Sequence, residues 1–172
     1  MSESPVRFGT DGWRAIIADD FTFENVRACA AATADHFAET RGTARPLVVG
    51  YDTRFMSDVF ALEVARVVAA RGFRVQLADR PAPTPALSYR IIEIGGAGGL
   101  VVTSSHNTYN CNGIKVKPHY GGSASPGIVV DIERRVPGIL ANPGTIAVEP
   151  KGSPRIERFD PIRGYLQGLG KQ

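Results

Sequence analysis

Two cysteines, Cys29 and Cys111, are all that the 172 residues contain. Neither belongs to a Cys-x-x-Cys pair or lies near histidines at zinc-ligand spacing, which excludes a disulfide framework and a structural zinc site. A reducing compartment, by default the cytoplasm, is the expected location. Long apolar runs are missing too. No stretch approaches the ~18 consecutive apolar residues of a membrane span, and the opening Met-Ser-Glu-Ser-Pro-Val-Arg holds no apolar core of a secretion signal. No membrane partner is expected. A strong excess of either charge is also absent: 20 Lys and Arg against 17 Asp and Glu leave +3, too little to demand nucleic acid as a partner. Lysine is rare in itself, confined to Lys115, Lys117, Lys151 and Lys171.

What remains is an ordinary globular composition, 43% hydrophobic and 22% charged. Glycine and proline, 19 and 12 residues, make the loops prominent without making the chain fibrous or repetitive. The length suits one domain, or one domain and part of another.

Helical and strand periods alternate along the chain. Thr22 can cap a helix over 22–40 that Gly42 ends, and Pro46-Leu-Val-Val-Gly-Tyr follows as a buried strand. Ser57 starts a second helix closing at Arg71-Gly72, and Phe73 to Ala78 reads as a strand. Thr84-Pro85 opens a third helix, and Gly99-Leu-Val-Val-Thr a third strand. Short links between strand and helix predict parallel strands with helical crossovers. The fold class is therefore α/β: a three-layer α/β/α domain with a mixed, mostly parallel sheet and its site at the strand C-termini. Trp13 to Ile17 and Ile114 to Lys117 read as further strands, one of them antiparallel at an edge. Beyond Gly121 the pattern predicts a helix over 126–135 and a last strand at Ile146-Ala-Val. Residues 1–150 are read as one domain, and 151–172 as a linker followed by the start of a further, truncated domain.

Three loops can carry chemistry. The richest is Val101-Val-Thr-Ser-Ser-His-Asn-Thr-Tyr-Asn-Cys-Asn-Gly-Ile-Lys-Val-Lys, which leaves a buried strand and crowds hydroxyls, an imidazole and amides together before two lysines. Such a loop suits a phosphate, because hydroxyls, amides and backbone N–H groups donate while Lys115 neutralises charge. Lys115 and Lys117 point to one face if the segment is a strand. The plain alternative is a turn. Ser105 and His106, as neighbours in sequence, do not by themselves make a nucleophile–base pair. Arg7-Phe-Gly-Thr-Asp-Gly-Trp-Arg-Ala frames a polar turn and ends on Arg14, an arginine suited to bidentate phosphate contact. Gly50-Tyr-Asp-Thr-Arg-Phe-Met-Ser ends another strand. There the local alternative is an Asp52–Arg54 pair, with Ser57 acting as a helix cap and nothing more. His36 and His119 carry no evident role.

Taken together, Phe8-Gly-Thr-Asp-Gly-Trp-Arg, Gly50-Tyr-Asp-Thr-Arg and Thr103-Ser-Ser-His-Asn with Asn112-Gly-Ile-Lys resemble, in order and spacing, the N-terminal domain of the α-D-phosphohexomutases. This family contains phosphoglucomutases, phosphomannomutases and phosphoglucosamine mutases, and the resemblance covers about residues 6–150. It implies that Ser105 is the phosphoserine that exchanges a phosphoryl group between C1 and C6 of a hexose phosphate. His106 and Lys115 match its general acid/base positions and Arg14 the arginine beside it. Thr103, Ser104, Asn107, Arg54 and Lys117 would bind substrate or phosphate. The implied cofactors are Mg2+, touching Ser105 through its phosphate, and a hexose 1,6-bisphosphate activator. Thr108, Ser104 and Ala15 depart from the residues common in the family. The family's acidic metal loop, sugar-selecting loop and final phosphate clamp do not occur in this sequence. The implied partners are a hexose phosphate and the C-terminal domains of the same polypeptide, with self-association through an exposed domain interface as a further expectation. The leading reading is thus a catalytic-serine domain that completes no cycle alone. The alternative is a non-enzymatic phosphate- or phosphosugar-binding module. A serine hydrolase lacks its Gly-x-Ser-x-Gly elbow here.

Overall fold

The structure, a computed structural model, describes residues 4–9 and 12–170. In chain order its elements are β1 (Phe8–Gly9), β2 (Gly12–Ile16), α1 (Phe23–Arg41), β3 (Leu47–Tyr51), α2 (Ser57–Ala70), β4 (Val75–Ala78), α3 (Thr84–Glu93), β5 (Gly98–Val102), β6 (Cys111–Pro118), α4 (Pro126–Leu140), β7 (Ile156–Phe159) and α5 (Pro161–Leu169). The strands form one mixed sheet in the order β1-β2-β6-β5-β3-β4-β7. Its parallel half is β5-β3-β4-β7, and β6, β2 and β1 continue it antiparallel. The two extra strands expected around Trp13 and Ile114 are β2 and β6.

Two adjacent glycines show why three layers form. A side chain on Gly98 would collide with Phe37 of α1 at 2.6 Å, and one on Gly99 with Ile91 of α3 at 2.8 Å. Successive strand residues face opposite sides, so α1 and α3 lie against opposite faces of the sheet, each close enough to require the missing Cβ. Helices α2 and α4 pack beside α1, and α5 packs on α3. Thr22 caps α1 as its sequence suggests, its side chain accepting from Asn25 N at 3.2 Å. Trp13 anchors β2 in the core, 4.9 Å from the Phe21 ring, which in turn lies 4.8 Å from Phe60 of α2. No described helix is long and apolar enough to cross a membrane.

The C-terminal quarter differs from expectation. Helix α4 does not stop at 135 but continues through Pro137 to Leu140, at the cost of the hydrogen bond that proline cannot donate. No strand forms at Ile146–Val148. That segment is held instead by Arg66 of α2, whose Nε donates to Glu149 O at 2.6 Å and whose carbonyl accepts from Glu149 N at 3.1 Å. The last strand is β7, reached through a turn at Gly152 (φ 85°) and paired in parallel with β4. Residue 150 therefore marks no break in the sheet, because part of the expected linker is its edge strand. Asp160 caps α5 by accepting from Ile162 N and Arg163 N. The helix lies on α3 so closely that a side chain on Gly168 would meet the Tyr89 ring at 2.6 Å.

Candidate functional site

β3 and β5 are parallel neighbours and end side by side. Their loops, Asp52–Met56 and Thr103–Asn110, share one open cleft lined by Asp52, Thr53, Arg54, Phe55, Ser105, Asn107 and Tyr109. This is where an α/β sheet places its ligands, since loops diverge from adjoining strand ends.

The two loops are tied by a dense set of hydrogen bonds. Asp52 Oδ2 accepts from the Thr103 hydroxyl at 2.6 Å, and Oδ1 from the Ser57 hydroxyl at 2.9 Å and from Arg54 N at 3.0 Å. Thr103 Oγ1 also accepts from Ser105 N at 3.0 Å. The Arg54 guanidinium reaches across the gap. Its Nη1 donates to Thr108 O (2.8 Å) and Cys111 O (3.0 Å), and its Nη2 to Ser105 O (2.8 Å) and Asn107 O (2.7 Å). A planar fork with donors on two sides can hold four carbonyls in this way, which an ammonium cannot. Asn112 completes the frame from β6, donating to the Ser57 hydroxyl at 2.9 Å and accepting from Gly113 N at 2.9 Å.

Ser105 sits at the crest of this frame. It is exposed, and its φ of 57° lies in the left-handed region, which costs an L-residue about 1–2 kcal/mol. The clamp on its carbonyl and the bond from its N–H hold it there. Met56, on the facing loop, shares the same φ of 57°, but Ser105 alone of the two presents a hydroxyl to the cleft.

Arg14 approaches from the neighbouring strands. Thr103 N donates to Gly113 O at 2.9 Å, and Gly113 is the register partner of Arg14 in β2. A Cβ on Gly113 would lie 3.1 Å from Arg14 Cγ and 2.4 Å from Trp13 O, so only glycine lets these three strands close up here. Lys115, two residues along β6, shares that face. Arg14 Nε is buried with no hydrogen-bond partner among the described residues.

Residues 5–142 match the family described as phosphoglucomutase/phosphomannomutase, α/β/α domain I. The chain belongs to this family. Phosphoglucosamine mutase of Deinococcus radiodurans is 35% identical over 130 residues, which cover 75% of this chain and 29% of that protein. Phosphoglucomutase of Staphylococcus saprophyticus is 32% identical over 130 residues, 72% of this chain and 23% of that one. A crystal structure from Thermus thermophilus, described as a phosphomannomutase, superposes with a TM-score of 0.86 at 35% identity, covering 99% of this chain and 36% of the other. The chain thus spans about a quarter to a third of the length of the curated relatives it matches.

Within this phosphohexomutase domain the residues singled out in the sequence divide into groups. Ser105, His106 and Asn107 lie on the loop, the first two exposed, and Ser105 and Asn107 line the cleft. Arg14 and Lys115 flank the stem of that loop on the adjacent strands. Four others stand in surroundings that differ from those of an open phosphate contact. Arg54 has its guanidinium engaged by loop carbonyls and, through Nε, by Asp52 Oδ2 at 3.4 Å. Thr103 is buried, with its hydroxyl committed to Asp52 and Ser105. Ser104 is fully buried, its Oγ meeting no partner among the described residues, so it faces the interior. Lys117 pairs with Gly99 at the far end of β5 and is 6% exposed, away from the loop. Thr10 and Asp11 of the first motif lie outside the described residues.

Ser57 is also more than a cap. The N-cap of α2 is Met56, and Ser57 joins Asp52 to Asn112. Sequence reasoning overlooked Asn112 and His36. Asn112 stood in a quoted motif without a role of its own. His36 is buried beneath α4, its Nδ1 2.7 Å from Asp131 Oδ2. A magnesium ion takes about six oxygen ligands. Among the described residues no group of three or more His, Cys, Asp or Glu side chains can hold a metal, and both oxygens of Asp52 are engaged. Burial pushes the Cys29 thiol up to about 12, which makes it inert.

Proposed function

We propose that this chain is the phosphoserine-carrying domain of a phosphohexomutase, with Ser105 as the residue that gives and takes the phosphoryl group. The observation that carries the reading is the exposed, left-handed Ser105, lining an open cleft and fixed there by the Arg54 clamp and the Thr103 hydroxyl. Phosphoryl transfer needs in-line positioning and charge neutralisation above all; the preset serine supports the first, and Arg14 and Lys115, on the strands at the base of its loop, are the cations we assign to the second.

In the forward half, a hydroxyl oxygen of a hexose monophosphate attacks phosphorus on Ser105. The new P–O bond forms on the sugar, the P–O bond to Ser105 breaks, the sugar hydroxyl loses its proton and Ser105 Oγ gains one. In the return half, Ser105 Oγ attacks the other phosphate of the resulting bisphosphate, gives up its proton and releases the sugar oxygen, which is protonated. His106 and Lys115 are the groups assigned to move these protons, and Arg14 faces the phosphate oxygens. A hexose 1,6-bisphosphate loads the serine at the outset. A magnesium ion would be held here through a phosphate oxygen on Ser105 and would neutralise charge on the transferring group. The matched relatives extend well beyond the region they share with this chain, and to such further parts we assign the choice of sugar, the remaining ligands and completion of the cycle.

Intact-mass measurement after incubation with glucose 1,6-bisphosphate tests the reading. Addition of one phosphoryl group supports it. Binding of the sugar phosphate with no change of mass favours a phosphosugar-binding module instead.

A further inference from the structure

The Ser105 cleft carries two aromatic rings that the fold leaves uncovered. Phe55 is 68% exposed and Tyr109 is 90% exposed, yet both line the same cleft as Ser105 and Asn107. Large rings left in water forgo the burial their size would gain. They also come from different loops, and their mounts are joined. Arg54 directly precedes Phe55 in the chain, and its Nη1 donates at 2.8 Å to the carbonyl of Thr108, the residue before Tyr109. The clamp that positions Ser105 therefore also ties together the backbone segments that carry the two rings.

We propose that Phe55 and Tyr109 form a hexose subsite beside Ser105, taking the apolar C–H face of a pyranose ring. A pyranose carries its hydroxyls around the rim and C–H bonds on its faces, so an aromatic surface can cover a face while the rim stays available to polar groups. Apolar pockets with a few convergent polar groups bind small ligands in this manner, and Asn107 in the cleft wall is such a group. The inference rests on Ser105 being the phosphoryl acceptor, because a hexose whose phosphate meets Ser105 brings its ring to the same cleft. The rings then bind the sugar and leave the phosphate to other residues.

Saturation-transfer NMR on the chain with glucose 1-phosphate tests this directly. Irradiating the aromatic protons attenuates the pyranose C–H signals, and the double substitution Phe55→Ala, Tyr109→Ala removes most of that transfer. The same double variant binds glucose 1-phosphate about tenfold more weakly, while inorganic phosphate, followed by 31P titration, changes by less than about twofold. Both side chains are exposed, so the variant keeps its fold. No transfer in the wild type, transfer that survives in the variant, or equal loss of sugar phosphate and inorganic phosphate each overturns the subsite. Ser105 labelling by the bisphosphate is read separately. Labelling without ring contacts overturns the subsite alone, and ring contacts without labelling overturn the phosphotransfer reading alone.

Discussion

The Thr103 hydroxyl donates to the Asp52 carboxylate at 2.6 Å, joining the ends of two parallel strands, and the same hydroxyl oxygen accepts from the N–H of Ser105 at 3.0 Å. A carboxylate rooted at the end of β3 thus controls the backbone of the serine at the end of β5 through one intervening oxygen. Thr103→Val removes both bonds at nearly constant volume and leaves Asp52 Oδ2 with the Arg54 guanidinium, 3.4 Å away, in place of the hydroxyl. We expect a loss of about 1–3 kcal/mol in urea denaturation and faster exchange of the Ser105 amide, with Thr103→Ser close to wild type. Equal stability of the valine and serine variants would contradict the linkage.

Arg54 is a clamp, and the clamp depends on shape as well as charge. Lysine offers three donors from a single nitrogen and cannot serve four carbonyls arranged on two sides. Arg54→Lys is therefore expected to behave like Arg54→Ala. Hydrogen exchange measured by mass spectrometry accelerates over residues 105–111 in both variants, and stability drops by about 2–3 kcal/mol. Retained protection in the lysine variant would show that charge alone holds the loop.

Ser105 stores strain that glycine does not. Ser105→Gly is expected to melt at the same temperature as wild type or higher, with a gain of up to about 1 kcal/mol, while losing its phosphoryl acceptor. Thermal unfolding followed by circular dichroism checks this. A clear fall in melting temperature would mean that the side chain holds the loop, against the arrangement described.

Much of this architecture was legible in the sequence because it rests on local rules. Thr22 and Gly42 bracket α1, the β-branched run at Leu47–Val49 is a strand covered on both faces, and the polar loop after Val102 lies at a strand end. The failures were non-local. Arg54 looks like a phosphate ligand until the carbonyls it meets, more than 50 residues away, are folded beneath it. Lys117 shares a face with Lys115, but the antiparallel register carries it toward Gly99 and away from the loop. Val148 has strand character, yet the neighbouring Glu149 finds its partners in Arg66 of α2, and the sheet edge is filled by Ile156–Phe159 instead.

His36 and Asp131 make the join between α1 and α4 sensitive to acid. The hydrogen bond from His36 at 2.7 Å, helped by Arg135 and Arg134, lowers the Asp131 carboxyl from 3.8 to about 2 despite its partial burial. A depressed carboxyl contributes stability that is complete above its unfolded value and is lost as pH falls through its folded one. Asp131→Asn should therefore be less stable than wild type at neutral pH, with the difference shrinking as pH falls from about 4 toward about 2. Urea denaturation across that range measures it. A difference that stays constant down to pH 2 would remove Asp131 from the account.

The central claim is that Ser105, of the three adjacent hydroxyl residues Thr103, Ser104 and Ser105, is the one built to carry phosphate. Fragmentation mass spectrometry of the chain after exposure to glucose 1,6-bisphosphate locates the phosphate within that triplet. Modification is expected on Ser105 alone, abolished in Ser105→Ala and retained in Ser104→Ala. Phosphate on Thr103 or Ser104, or an unmodified triplet under conditions where the sugar bisphosphate binds, would contradict it.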